Sequence, residues 1–237
     1  RRVLTLHQRL FYSPLLEAVA RIPSAEVTLT TEAAETRLLA LGYGSTRRWV
    51  ASIEAVTGRG DILRAGSRVP KSSAGYDLTD LIVGSEGTLA IVTSVGLRLA
   101  PLPRAKARAA FVFDTLAGAC EAAATVAAYV PDVVALEVVD ASTLALFPSA
   151  GPAANLAIVE VHGSADACRD GLAACAEVFG EAGGRRDEAI ADPWDLRHRL
   201  TRTVRESAAP LGVVRTDCAV PLPCLARFAT KASVDAA

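Results

Sequence analysis

The sequence predicts an α+β protein built in two parts, and three observations lead there. Residues 88–99 alternate strictly between two faces, the period of a strand. Pro101 and Pro103 then interrupt the chain, because proline fixes φ and lacks a backbone N–H. Beyond them, strand-like and helix-like segments alternate in the manner of an α+β sandwich, ferredoxin-like in build. One domain is therefore expected over residues 1–103 and a second over residues 104–237.

Taken in order, residues 3–11 read as a helix. Residues 52–57 alternate, Gly58-Arg59-Gly60-Asp61 supplies a turn, and residues 62–65 continue as a partner strand, giving a β-hairpin. With residues 88–99 it forms a small mixed sheet. Between them Asp77 or Thr79 opens a short helix, since a short side-chain oxygen accepts an unpaired N–H of the first turn. Leu78, Leu81 and Ile82 fall on one face of it, and Gly84 ends it.

The loop Gly84-Ser85-Glu86-Gly87 leads into the alternating strand. Leu89, Ile91, Thr93, Val95, Leu97 and Leu99 point one way, while Ala90, Val92, Ser94, Gly96 and Arg98 point the other. That second face is mostly small, so a flat ligand or another backbone can lie close against it. The same glycines also suit a plain helix–loop–strand connection, and the residues alone leave both readings open.

In the second part, residues 109–113 read as a strand, 116–129 as an alanine-rich helix and 133–139 as a strand. A short helix over 141–147, a strand over 156–162 and a helix over 165–182 follow, the last bounded by Gly163 and Gly183-Gly184. Asp192-Pro193-Trp194 opens a further helix to residue 207, with proline at its first turn.

Composition narrows the function classes. A chain of 237 residues can bury a substantial core, and 51% hydrophobic with 22% charged residues fits a globular domain, not a disordered one. The net charge of −1 argues against nucleic acid or an anionic membrane surface as partner. No apolar run reaches the ~20 residues of a membrane span, so no transmembrane segment is predicted. The five cysteines, odd in number and without a CxxC pair, argue against a disulfide framework and for a reducing, cytoplasmic setting. His7, His162 and His198 lie far apart without metal-ligand spacing, so no metal site is predicted.

The string from Lys71 to Thr93, KSSAGYDLTDLIVGSEGTLAIVT, resembles the signature of FAD-linked oxidases of the vanillyl-alcohol-oxidase type. The similar branch is that of D-lactate dehydrogenases and glycolate oxidase subunits. LGYGSTRRWV, residues 41–50, resembles the same family's YGxTRDxV turn, with Arg48 where the family has Asp; Ala90 stands where it has glycine. WDLR, residues 194–197, is similar to its W-x-x-R, and residues 215–221 resemble its strand running into a proline.

The resemblance implies that residues 1–103 are the C-terminal half of a PCMH-type FAD-binding domain. Residues 104–237 would then be part of the ferredoxin-like cap or substrate domain, of the FAD-linked oxidase C-terminal type. It implies FAD contacts from Tyr43, Gly44, Thr46, Gly75, Tyr76, Gly84, Ser85, Glu86, Gly87, Leu89, Ile91 and Val92. It also implies contacts of Arg197 and Arg215 with a small 2-hydroxy acid, since the planar guanidinium fork meets a carboxylate bidentately.

The implied activity is FAD-dependent oxidation of a D-2-hydroxy acid such as D-lactate or glycolate. Two departures qualify the expectation. Where the family has a glycine-rich loop for the FAD pyrophosphate, residues 15–41 contain no glycine and carry Glu26, Glu32 and Glu35. Such carboxylates are poor neighbours for a phosphate. The family's H-x-GDGN-x-H motif, with its proton-accepting histidine, does not occur either, and no catalytic residue is assigned. The expected protein is thus an incomplete oxidoreductase, inactive alone, that associates with itself or a partner subunit through exposed apolar surface. The alternative, from a different class, is a non-catalytic remnant or accessory subunit that binds no flavin.

Overall fold

The computed structural model describes residues 2–5, 27–30, 40–67, 69, 75–147, 154–190, 192–207 and 218–235. Residues 1–37 with 44–102 make one unit, and residues 38–43 with 103–237 a second. In the first unit, β1 (Arg2–Thr5) pairs in parallel with β2 (Val27–Thr30), Arg2 opposite Val27. The helix expected from residue 3 is therefore a strand over residues 3–5, where Val3 and Thr5 are branched at Cβ and suit a ladder. The rest of that expected helix lies outside the described residues.

α1 (Ala40–Tyr43) belongs to the second unit, while α2 (Thr46–Trp49) leads into β3 (Val50–Thr57). β3 forms the expected hairpin with β4 (Ile62–Gly66), Val56 opposite Ile62. After α3 (Leu78–Ile82), β5 (Ala90–Leu97) pairs with the other edge of β3, so the sheet order is β4-β3-β5. Val50, Ile53, Ala55, Ile82 and Ala90 form its core.

Two expectations about this unit need correction. The Asp77 carboxylate caps α3 by accepting the Asp80 N–H at 2.9 Å, but the helix buries Thr79 and Ile82 and exposes Leu78 and Leu81. In a one-turn helix the buried face is set by whichever i, i+3 pair meets the sheet, here 79 and 82. Second, the alternation of β5 changes hand at a bulge. Glu54 pairs with Ser94 but Ala55 pairs with Val92, which leaves Thr93 as an extra residue. An inserted residue flips every side chain beyond it. Ala90 and Val92 therefore face the core before the bulge, Val95 and Leu97 after it, and Leu89 and Ile91 stay exposed. The narrow face is closed by the core at Ala90 and Val92 instead of lying open.

The second unit begins with β6 (Ala105–Phe113), α4 (Leu116–Tyr129), β7 (Val133–Val139) and α5 (Ala141–Leu144). β8 (Asn155–Gly163), α6 (Ala165–Glu181) and β9 (Arg185–Arg186) follow. Short side chains start the helices: Thr115, Asp140 and Ser164 each accept an N–H three residues on. The sheet runs β7-β8-β6-β9 with every neighbouring pair antiparallel, the order of two interleaved β-α-β units and hence ferredoxin-like.

One face of this sheet carries the helices. Phe111, Phe113, Val159 and Val161 pack with Val126 of α4 and Cys175 and Phe179 of α6, and the Phe111 and Phe179 rings lie 4.6 Å apart. α7 (Pro193–Ser207) lies against β6, and α8 (Leu225–Asp235) packs on α4. α1 meets β7 so closely that a Cβ on Gly42 would sit 2.7 Å from Val134 Cγ1. As a result β8 is buried on both faces from Asn155 to His162.

Candidate functional site

The second unit holds a polar cluster on the sheet face opposite α4 and α6. Val159 and Val161 point to the helices, so Glu160 and His162, alternating with them, point away. A buried carboxylate is costly unless its oxygens are fully hydrogen-bonded. Glu160, with a side chain 3% exposed, accepts from Arg108 Nε at 2.9 Å, from His162 Nε2 at 2.5 Å and from the Trp194 indole N–H. Arg108 is its direct cross-strand partner on β6 and also pairs with Asp192 at 3.6 Å. On the far side of the ring, His162 Nδ1 lies 2.8 Å from the Tyr43 hydroxyl of α1.

These contacts set the protonation states. Burial alone would raise the Glu160 carboxyl, but hydrogen bonds and charge from His162 and Arg108 outweigh it and hold the group below its ordinary value. An ionised carboxylate only accepts, so His162 carries a hydrogen on Nε2 toward Glu160, and its Nδ1 faces the Tyr43 hydroxyl. Burial, and then the negative charge of Glu160, push the Tyr43 hydroxyl above its ordinary value, so it keeps its proton.

The W-x-x-R sequence docks α7 onto the same face. Asp192 accepts the Trp194 N–H at 3.0 Å and caps the helix. Trp194 and Arg197, at i and i+3, then reach two carboxylates on neighbouring strands: Trp194 meets Glu160 of β8, and Arg197 Nε donates to Glu137 of β7 at 3.0 Å. Arg197 is thus ion-paired within the fold. Arg215 lies outside the described residues.

The first unit carries the glycine corner. Gly84, Glu86 and Gly87 have φ of +94°, +54° and +79°. The Thr88 N–H returns to the Ser85 carbonyl at 3.0 Å, closing a turn whose two central residues are both left-handed, the type I′ pattern. Glutamate in that conformation costs about 1–2 kcal/mol relative to glycine. Arg47 Nη2 donates to the Val83 carbonyl at 2.7 Å, and a Cβ on Gly84 would stand 2.8 Å from that nitrogen.

The corner is open. Gly84, Glu86 and Gly87 are exposed, Ser85 is half-buried, and a Cβ on Gly75 or Gly87 would meet nothing within 4 Å. Tyr76, Leu89 and Ile91 are exposed as well. Val92 packs into the core and so does not share the outward side with Ile91. Gly44 (φ +73°) and Thr46 lie at the start of α2 in this unit, whereas Tyr43 belongs to the second.

Glu160, His162 and Arg108 escape a reading of the sequence. The available signal is Glu160-x-His162, two polar residues on one face of an otherwise apolar strand. Among the described residues no group of three His, Cys, Asp or Glu is arranged to hold a metal ion, and no helix is long and apolar enough to cross a membrane.

Comparison with known proteins places this geometry in a family. The family described as FAD linked oxidases, C-terminal domain, matches residues 102–235. Glycolate oxidase subunit GlcD of Bacillus subtilis is 40% identical over 105 residues, 44% of this chain and 21% of that protein. The mitochondrial D-lactate dehydrogenase [cytochrome] of Arabidopsis thaliana is 45% identical over 85 residues, 36% of this chain and 15% of that protein. The matches thus take in only about a fifth or less of these relatives' lengths.

Among solved structures, an alkyldihydroxyacetonephosphate synthase superposes with a TM-score of 0.64 over 83% of this chain and 42% of that one, at 18% identity. 4-Ethylphenol oxidase from Gulosibacter chungangensis gives 0.51 over 73% and 40%, at 16% identity. At such identities the likeness is one of fold. The family match, however, takes in more than half of the sequence, and the chain belongs to the FAD linked oxidases, C-terminal domain family.

Proposed function

We propose that this chain is part of an FAD-dependent oxidoreductase that oxidises a D-2-hydroxy acid such as D-lactate or glycolate. The family and the relatives' names support the reaction class. The observation that carries it to this chain is the open left-handed corner at residues 84–87, with Leu89 and Ile91 turned outward after it. A planar cofactor needs room over bare backbone and apolar side chains beside it, and the corner fits both needs.

Gly44, Thr46, Gly75, Tyr76, Gly84, Ser85, Glu86, Gly87, Leu89 and Ile91 would hold FAD, with Val92 through its backbone. Bound FAD supplies a two-electron acceptor for the hydride of the hydroxy acid. Leu89 and Ile91 keep water from that surface. Arg197, through the N–H groups left beyond its Glu137 pair, and Arg215 would hold the substrate carboxylate. Residues 1–103 would act as the partial FAD domain and residues 104–237 as the partial cap, completed by other regions or another subunit in a reducing, cytoplasmic setting.

Titrating the purified chain with FAD tests this. Saturable quenching of flavin fluorescence is the expected result. Unchanged fluorescence would overturn the proposal and favour an accessory role without flavin, the reading that the glycine-free, acidic residues 15–41 support.

A further inference from the structure

An arginine binds a small carboxylate best when its guanidinium is already held with two parallel N–H groups facing the acid. We propose that Glu137 is the positioning residue of the substrate-carboxylate site, holding one edge of Arg197 so that the other is presented to the acid. The inference rests on the function proposed above, which gives Arg197 that carboxylate. Every group it uses belongs to the second unit.

A planar guanidinium has two edges on which a pair of N–H groups runs parallel. One is formed by Nε with a terminal nitrogen, the other by Nη1 and Nη2 together. Arg197 Nε donates to Glu137 Oε2 at 3.0 Å, so the first edge is taken. A second carboxylate then meets the guanidinium end-on, at Nη1 and Nη2. Among the described residues Glu137 is the guanidinium's one partner, and no Arg197 nitrogen is both buried and unpaired. The side chain is 25% exposed, and the terminal edge is the end that solvent reaches.

The backbone beneath is fixed as well. Glu137 stands opposite Ile158 and Ala135 opposite Glu160, so both carboxylates lie on the sheet face that receives α7. Trp194 meets Glu160, and Arg197 meets Glu137 one turn later, two anchors that stop the helix from rolling or sliding. Arg199 is spent on Asp195, four residues back on the same helix, at 3.0 Å.

Charge and orientation act in opposite directions here. The Glu137 carboxylate by itself repels an incoming anion, and the Arg197–Glu137 pair is neutral in sum. What Glu137 contributes to binding is therefore the hydrogen bond that fixes the fork, and the two effects can be separated by substitution. Glu137→Gln keeps an oxygen for the Nε–H without the charge, whereas Glu137→Ala keeps neither.

Nitrogen-15-edited NMR of the full chain, titrated with D-lactate and with glycolate at constant ionic strength, tests this without cofactor. In wild type the Arg197 Nη signals should shift and saturate while the Nε signal moves far less. Glu137→Gln should bind the acid at least as tightly as wild type. Glu137→Ala should bind it about 3- to 10-fold more weakly than Glu137→Gln, the effect of one side chain no longer held. Equal affinity in the two variants would overturn the positioning role. So would a wild-type Nε shift as large as that of the Nη pair, a readout that stands even if Glu137→Ala fails to fold. Arg197 signals that respond to neither acid overturn the proposed role of Arg197 itself, and this inference with it. The FAD titration is independent of that outcome.

Discussion

Arg197 Nε donates to Glu137 Oε2 at 3.0 Å across the gap between α7 and β7, with the two side chains 25% and 23% exposed. Three residues earlier, Trp194 meets Glu160 on the next strand. The motif that resembles a substrate-binding signature is therefore also the clamp that seats a helix on the sheet.

Breaking the clamp should be costly. Glu137→Ala leaves a largely buried guanidinium without its partner, and we expect a loss of about 1–3 kcal/mol, below the 3–5 of a fully buried pair. Urea unfolding of Glu137→Ala, Arg197→Ala and the double variant measures the coupling. A loss under about 0.5 kcal/mol would mean the pair behaves as a surface one.

Glu160 makes stability depend on acid. Its folded-state value lies below its unfolded one, despite burial, because His162 and Arg108 favour the charged form. The contribution is therefore fully present above the unfolded carboxyl value of about 4.3 and is lost as pH falls through the lower folded value. Glu160→Gln should be less stable than wild type at neutral pH and should lose less on acidification. Urea midpoints on both sides of that range check it; parallel losses would contradict it.

At the glycine corner, Gly84→Ala meets two obstacles, a φ of +94° and the Arg47 guanidinium at 2.8 Å. We expect a cost of about 1–2 kcal/mol from the backbone alone, with the contact adding to it. In an Arg47→Ala background only the backbone part should remain. Thermal unfolding of the two single variants and the double variant separates them, and strict additivity would show that Arg47 yields freely.

The cysteines should divide by burial. Cys175 is pushed up to about 12 by burial, and Cys120 is raised by burial and then by the Glu121 charge. Cys120, Cys168 and Cys175 are buried, Cys218 is exposed and Cys224 half-buried. Alkylation of the native protein, mapped by mass spectrometry, should mark Cys218 first and Cys224 next. The other three should react only after unfolding.

Much of the second unit was legible because its punctuation is local. Thr115 caps α4, Ser164 caps α6, and the strands between them are short branched runs, so the expected spans of α4 and β7 match those observed. β9 went unread because two residues carry no period. The hand change in β5 went unread because Thr93 is an ordinary strand residue, and only its pairing with Glu54 reveals it as an insertion. Glu160 and His162 look like the wet side of a strand. They are buried because α1 and α7, distant in sequence, bring Tyr43 and Trp194 over them. Nothing in the order of residues announces that covering.

The Thr93 bulge lets one strand do two jobs with one alternating sequence. Upstream of it the bulky residues Leu89 and Ile91 form an apolar ledge outside the sheet; downstream, Val95 and Leu97 of the same alternating set seal the interior. A straight strand would have needed oily groups on both sides along its whole length, an invitation to unwanted stacking. Here a single inserted residue divides that length between an exposed surface and a surface kept for the fold.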